Sequence, residues 1–200
     1  MEEFITPMSV LDAVNIMLSA LGEAPVNSLE GSRTADVAIA LSILIETNRE
    51  VQSEGWYINT EKDFPLVPGS DKRISVPFNA LLVLPPERSG LTFAVRGGNL
   101  YNLKSHSFEF QQKVLVNIIF LLPFEDLTEK LRRYITIRAA RVFQDRVLGS
   151  GQAHSFQEQD EHIARLKLVQ ENADLQQANI AAACSGGLFA NYNVADTLRR

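Results

Sequence analysis

Three histidines, one cysteine, 24 acidic and 19 basic side chains are what this 200-residue chain could use to build a reactive centre. His106, His154 and His162 share no HExxH-like spacing, so they do not describe a metal site, and His162 falls on a polar helix face. Cys184 follows a run of alanines and reads as a packing residue, not a nucleophile. As the only cysteine it also excludes an intrachain disulfide and a Cys-rich zinc site. No GxSxG, Walker loop or dinucleotide fingerprint occurs. Two carboxylate pairs, Glu61 with Asp63 and Asp160 with Glu161, are candidates for acid–base work on a glycan. Sequence neighbours point in different directions on a strand or helix, however, so solvated charges are the simpler reading. The chemistry of the chain therefore assigns no catalytic, metal-binding or cofactor-binding residue.

A basic run is the remaining candidate. Lys130, Arg132, Arg133, Arg138, Arg141 and Arg146 share one expected helix, with Arg138, Arg141 and Asp145 recurring on one face. Such a face could contact phosphate, but it lacks interleaved aromatics and any base-reading motif. Ion pairs to the acidic start of the chain are the expected use. Residues 1–55 hold nine acids and two bases, a net −7, whereas 56–124 and 125–154 each carry +2 and 155–200 carries −2. The total of −5 argues against a surface that grips nucleic acid throughout. A 46% apolar fraction excludes a disordered or fibrous chain. The acidic opening Met1-Glu2-Glu3 and the short apolar run Val114–Phe124, interrupted by Asn117 and Pro123, predict neither a secretory signal nor a membrane span. The expectation is a soluble protein made in a reducing cytosol.

The elements that must position these residues follow from periodicity. Thr6 as cap and Pro7 at the first position predict a helix buried through Val10, Leu11, Val14, Met17, Leu18 and Leu21, stopped by Gly22. A second helix is expected from Ser32 or Thr34 to Gly55, with a stripe of Val37, Ala38, Leu41, Leu44, Ile45 and Val51. Asn48 falls within that stripe and should bond a neighbouring loop or helix. Short strands are expected at 56–60, 73–76, 80–84, 92–96, 99–103 and 114–121, with a tight hairpin at Gly97-Gly98. Gly97-Gly98 reads as a turn and not a phosphate cradle, because no helix follows it. Asp126 and Glu129 predict the start of a third helix, with Leu127, Leu131, Tyr134, Ile135, Val142 and Phe143 inward. Ser155 and Glu158 open a fourth helix to about Ala183, expected to bury Phe156, Ile163, Leu166, Val169 and Ala173. The layout is α+β. Residues 1–55 and 125–185 supply the two helix pairs of a four-helix bundle, 56–124 a β-rich insertion, and 186–200 a mobile tail.

Leu21-Gly22-Glu23-Ala24-Pro25-Val26-Asn27-Ser28-Leu29-Glu30-Gly31, then Ala35-Asp36, Asn48-Arg49, Gln52-Ser53 and Gly55-Trp56, resemble the tail tubular protein A family of short-tailed bacteriophages. Val95-Arg96-Gly97-Gly98, Leu100-Tyr101 and the helix from Arg138 to Phe143 are similar to that family in the same order. The resemblance implies a structural virion protein and not an enzyme. It implies a dodecameric adaptor ring between portal and tail nozzle, a lumen that genomic DNA traverses without specific binding, and tail fibres attached at the nozzle junction. It implies no cofactor and no membrane partner. A tail-associated glycan hydrolase and an Arg-rich helical DNA-binding module are the competing readings.

Overall fold

The computed structural model describes residues 6–29, 35–87, 89–147 and 151–185. Four helices enclose one core: α1 (Val10–Ala20), α2 (Ala35–Ser53), α3 (Glu129–Val147) and α4 (Gly151–Ser185). Between α2 and α3 lie β1 (Thr60–Leu66), β2 (Ala80–Leu84), β3 (Phe93–Arg96), β4 (Asn99–Asn102) and β5 (Val114–Phe120). The fold is therefore α+β, a four-helix bundle with an inserted β-rich part that has a small core of its own.

Each helix boundary has a local cause. Ser9, and not Thr6, caps α1: its hydroxyl accepts from the Asp12 amide while Asp12 accepts the Ser9 amide at 2.9 Å. A reciprocal box of this kind outcompetes a single-sided cap. Gly22 takes the left-handed conformation expected of it, at φ +80°. The Asp126 cap is also corrected. Asp126 ends a 3₁₀ turn (Phe124–Asp126), and Thr128 offers its hydroxyl to the Leu131 amide at the head of α3. The expected caps near Ser32 and Thr34, the Ser155 side chain and the 186–200 tail lie outside the described residues or side chains.

The stripes of two helices differ from expectation. In α2 the buried positions are Val37, Ala40, Ile43, Leu44, Thr47, Val51 and Gln52, whereas Ala38 and Ile45 face solvent. The spacing 37, 40, 44, 47, 51 follows a seam between α1 and α3, which apolar content alone does not distinguish from its neighbour. In α4 the reversal is larger: Ile163, Leu166, Val169 and Ala173 are exposed, and Ala164 and Leu168 pack inward. Small Ala164 allows a close approach to α3, while the larger apolar side chains point away. Val142 is half-buried, and the remaining α3 positions are buried as the periodicity predicts.

In the β part, the apolar run becomes β5, the centre of a three-stranded antiparallel sheet ordered β1-β5-β2. Val114, Val116 and Ile118 turn to its core and Leu115 outward, the alternation a one-sided sheet requires. Gly97 and Gly98 turn β3 into β4 with φ of +56° and +73°, the expected primed hairpin. Two expected strands are corrected. Residues 56–60 yield a 3₁₀ turn (Tyr57–Asn59), and β1 begins only at Thr60. Residues 73–76 make one isolated bridge, Ser75 to Asn99, because the partner strand turns away at Gly97-Gly98 just past the Val76 amide–Gly98 carbonyl bond.

Polar clasps join the bundle to the sheet. Gln52 is fully buried, donating to the Leu122 carbonyl at 3.0 Å and accepting its amide at 2.8 Å. Asn59 donates to the carbonyls of Gln52 and Phe120, both at 2.9 Å, and accepts the Trp56 amide. The Trp56 indole donates to the Val51 carbonyl and its ring joins the bundle core. Gly55 must be glycine on two counts, φ +79° and a would-be Cβ 2.7 Å from Ile119. Asn48 is corrected: it is half-buried and accepts from Gln52 of its own helix. Gln52 makes the loop contact expected of Asn48.

Candidate functional site

The structure separates or occupies the residues that suggested chemistry. Glu61 and Asp63 are exposed on β1, where the register shifts between Glu61 and Phe64 and Asp63 adopts φ +55°. The Asp63 amide donates to Asn117 across the sheet, so the pair sits at a β-bulge with no enclosing wall. Asp160 and Glu161 diverge on α4. Asp160 lines a shallow groove with Arg133 and Lys167, while Glu161 accepts Arg141 Nε at 2.5 Å and lies 3.9 Å from Arg138. A carboxylate held by two guanidiniums is not free to shuttle a proton. His106 is exposed in a turn at φ +52°, and His162 is exposed beside Arg165. The side chains of His154 and Cys184 lie outside those described. Among the described residues no three His, Cys, Asp or Glu side chains converge as metal ligands.

All of the basic run of α3 except Arg133, which is exposed on an open groove, is spent on the fold. Arg138 donates to Glu50 at 2.5 Å and to the Tyr134 hydroxyl at 3.1 Å. Arg146 pairs with Glu46 at 3.0 Å, both side chains more than half exposed. These are the expected bridges to acids of the second helix. Arg141 and Lys130 turn instead to α4, to Glu161 and Glu171, and Arg165 of α4 reaches Glu54, just past the end of α2, at 2.9 Å. Burial opposes the charge of Arg138, but Tyr134, Glu50 and Glu161 together raise its pKa above the ordinary guanidinium value. The bond to Glu161 does the same for Arg141, and the bond from Arg146 lowers the Glu46 pKa. Tyr134, fully buried, accepts from Arg138 and Arg165 at once. A phosphate-contacting face would need these guanidiniums free.

Arg132 is the functional-looking residue whose structural role the spacing did not reveal. It is buried and donates to three carbonyls, of Leu127 (2.8 Å), Met8 (2.7 Å) and Glu125 (2.6 Å). It thereby ties the approach to α1 and the turn before α3 together. Its position inside the Leu131–Ile135 apolar stripe was the available signal.

Two open regions of the surface are apolar. The outer face of α4 exposes Ile163, Leu166 and Val169, each about half exposed. A second region, a cleft of about 450 Å³, opens between α2 and the β part, lined by Ile45, Asn48, Arg49, Phe78, Asn79 and Leu121–Pro123. Phe78 is fully exposed beside it. Large apolar side chains held in solvent mark surfaces for association. Among the described residues no helix is long and apolar enough to cross a membrane.

A family model described as tail tubular protein matches residues 11–178. The chain is also 35% identical over 129 residues to tail tubular protein A of Klebsiella phage KP34, covering 64% of this chain and 67% of that protein. The chain belongs to the tail tubular protein family, whose members are structural components of the bacteriophage virion tail.

Proposed function

We propose that this protein is a head–tail adaptor, copies of which form a closed ring, dodecameric by the family resemblance, between the portal and the tail nozzle. Genomic DNA passes through the lumen without specific binding, and tail fibres attach where the ring meets the nozzle. The protein carries no reaction of its own. The division of labour follows the chain: the bundle from 1–55 and 125–185 with the 186–200 tail faces the portal, and the 56–124 insertion faces the nozzle.

The observation that carries this reading is the exposed apolar surface on both α4 and the α2–β cleft, in a chain of a structural tail family. Arg138, Arg141 and Arg146 of α3 support it by their engagement in ion pairs, which leaves these three less available to phosphate. About twelve copies of a −5 chain would carry roughly −60, and an acidic lumen repels phosphate and lets DNA slide. Neutralising acids found to face that lumen should then slow genome ejection; unaltered ejection kinetics would reject the sliding role. The adaptor reading itself is tested by mixing the protein with purified portal and imaging the product. A closed ring seated on the portal is expected. Separate portal and monomer across protein concentration and salt would overturn the proposal.

A further inference from the structure

A groove of about 380 Å³ opens between the start of α1, α3 and α4. Met8 and Ile16 line it from the α1 side, Arg133 and Ile137 from α3, and Ile163 and Lys167 from α4. Its walls are therefore apolar with two cations. Arg133 and Lys167 are both exposed, and neither has an ion-pair partner among the described residues, whereas Lys130, Arg138, Arg141 and Arg146 all do. The acids bordering this spot are engaged or distant. Glu129 accepts the Met8 amide at 3.1 Å, and Glu171 accepts the Thr128 hydroxyl and pairs with Lys130. Asp160 and Asp174 lie seven residues to either side of Lys167, about 10 Å along the helix and roughly a Debye length away.

The chain itself leads into this groove. The Met8 carbonyl accepts from Arg132 at 2.7 Å, and its sulfur lies 3.3 Å from the Thr136 hydroxyl, so Met8 is fixed against α3 one residue from Arg133. Upstream of Thr6-Pro7 stand Met1-Glu2-Glu3-Phe4-Ile5. Pro7 biases Thr6 toward extended backbone, which directs the preceding residues outward as a strand and not as a continuation of α1. Five extended residues reach about 17 Å. Packed helices lie about 8–10 Å apart, so that length crosses from α3 to α4. Composition matches as well as reach. Phe4 and Ile5 are large and apolar like the groove walls, and Glu2 and Glu3 supply the carboxylates that Arg133 and Lys167 lack.

We infer that residues 1–5 strap across this groove of their own chain, with Phe4 and Ile5 on Met8 and Ile163 and with Glu2 and Glu3 facing Arg133 and Lys167. Apolar burial holds the strap, and the exposed ion pairs set where it crosses. This gives the acidic opening of the sequence a use that the described fold does not. It also covers the Ile163 flank of α4 from within the chain and leaves Leu166 and Val169, on the neighbouring face, open to other molecules. The inference is independent of the ring reading.

Thiol labelling of the dilute full-length protein tests it. In a Cys184→Ser background, Ile163→Cys should react at least tenfold more slowly than the same variant carrying Phe4→Ser and Ile5→Ser. Leu166→Cys, on the open face, should react at the same rate with or without those two changes. Arg133→Glu with Lys167→Glu should speed labelling at Ile163→Cys at least threefold, and adding Glu2→Lys with Glu3→Lys should slow it again. All these substitutions fall on exposed positions or within residues 1–5, and an unchanged far-UV circular dichroism spectrum is expected throughout. Labelling at Ile163→Cys that ignores Phe4→Ser and Ile5→Ser would overturn the strap. Indifference to the charge reversals would overturn its crossing at Arg133 and Lys167. Protection that vanishes on dilution would show that a second copy fills the groove, which overturns the same-chain assignment.

Discussion

α3 and α4 are neighbours in sequence and in space, and both carry apolar residues on more than one face. Their surroundings differ. α3 packs against α1, α2 and α4, burying Leu131, Tyr134, Ile135, Ala139 and Phe143 within its own chain. α4 packs chiefly against α3, and its largest apolar side chains look outward. The contrast teaches that apolar content marks a helix to be covered without saying what covers it. In α3 the cover is the rest of the fold. In α4 half of the cover is missing from the single chain, and assembly is the process that would supply it.

Substitutions on covered and uncovered surfaces should separate the two cases. Leu131→Ala on α3 is expected to cost about 2–5 kcal/mol, the range for a fully buried leucine in a packed core, measured by denaturant unfolding. A cost below about 1 kcal/mol would mean that α3 is not the central element. Gln52→Leu tests a covered polar contact. It removes both bonds to Leu122, so the orphaned backbone groups should cost roughly 1–3 kcal/mol. Unchanged stability would show that the clasp between bundle and sheet is not needed.

Asp12 lies between these extremes, as a surface cap on the helix that rests on α3. The Ser9 side-chain and backbone bonds lower its pKa, so its contribution is present above the ordinary carboxylate value and disappears as pH falls through the lowered folded value. Asp12→Asn should therefore cost about 0.5–1 kcal/mol at neutral pH, near the low end for an exposed cap because solvent screens it. The difference from wild type should shrink as pH falls below the ordinary carboxylate value and vanish once pH lies below the lowered folded one. A difference that persists in acid would place the effect elsewhere. Smallest of all, Leu166→Ala on α4 should change monomer stability by no more than about 0.5 kcal/mol, as an exposed substitution does. A loss comparable to that of Leu131→Ala would abolish the distinction between the helices.

How far this was legible in the sequence depends on what each signal encodes. The α+β layout, the Gly97-Gly98 hairpin and the α3 stripe could be read because turn chemistry and helical period are local. The ion pairing of Arg138 and Arg146 with the second helix followed from the charge imbalance between segments. The α4 stripe was read in the opposite sense because periodicity shows that a face is apolar and not which neighbour covers it. Ile163 and Leu166 outweigh Ala164 on any hydrophobicity count, yet the small residue is the one that lets α3 approach. Gln52 and Arg132 were hidden for a related reason: their partners are backbone groups 70 and 124 residues away. No candidate catalytic centre could be read from spacing, and the structure places Glu61 and Asp63 at a bulge and parts Asp160 from Glu161, which sits in an ion-pair network.

The most direct test compares hydrogen–deuterium exchange of the free protein with that of the portal-assembled protein. The account predicts new protection across residues 159–177 and around Phe78 on assembly, with the α3 core from Leu131 to Phe143 unchanged. Assembly that leaves 159–177 exchanging as in the monomer, or that gains its protection in α3, would contradict it.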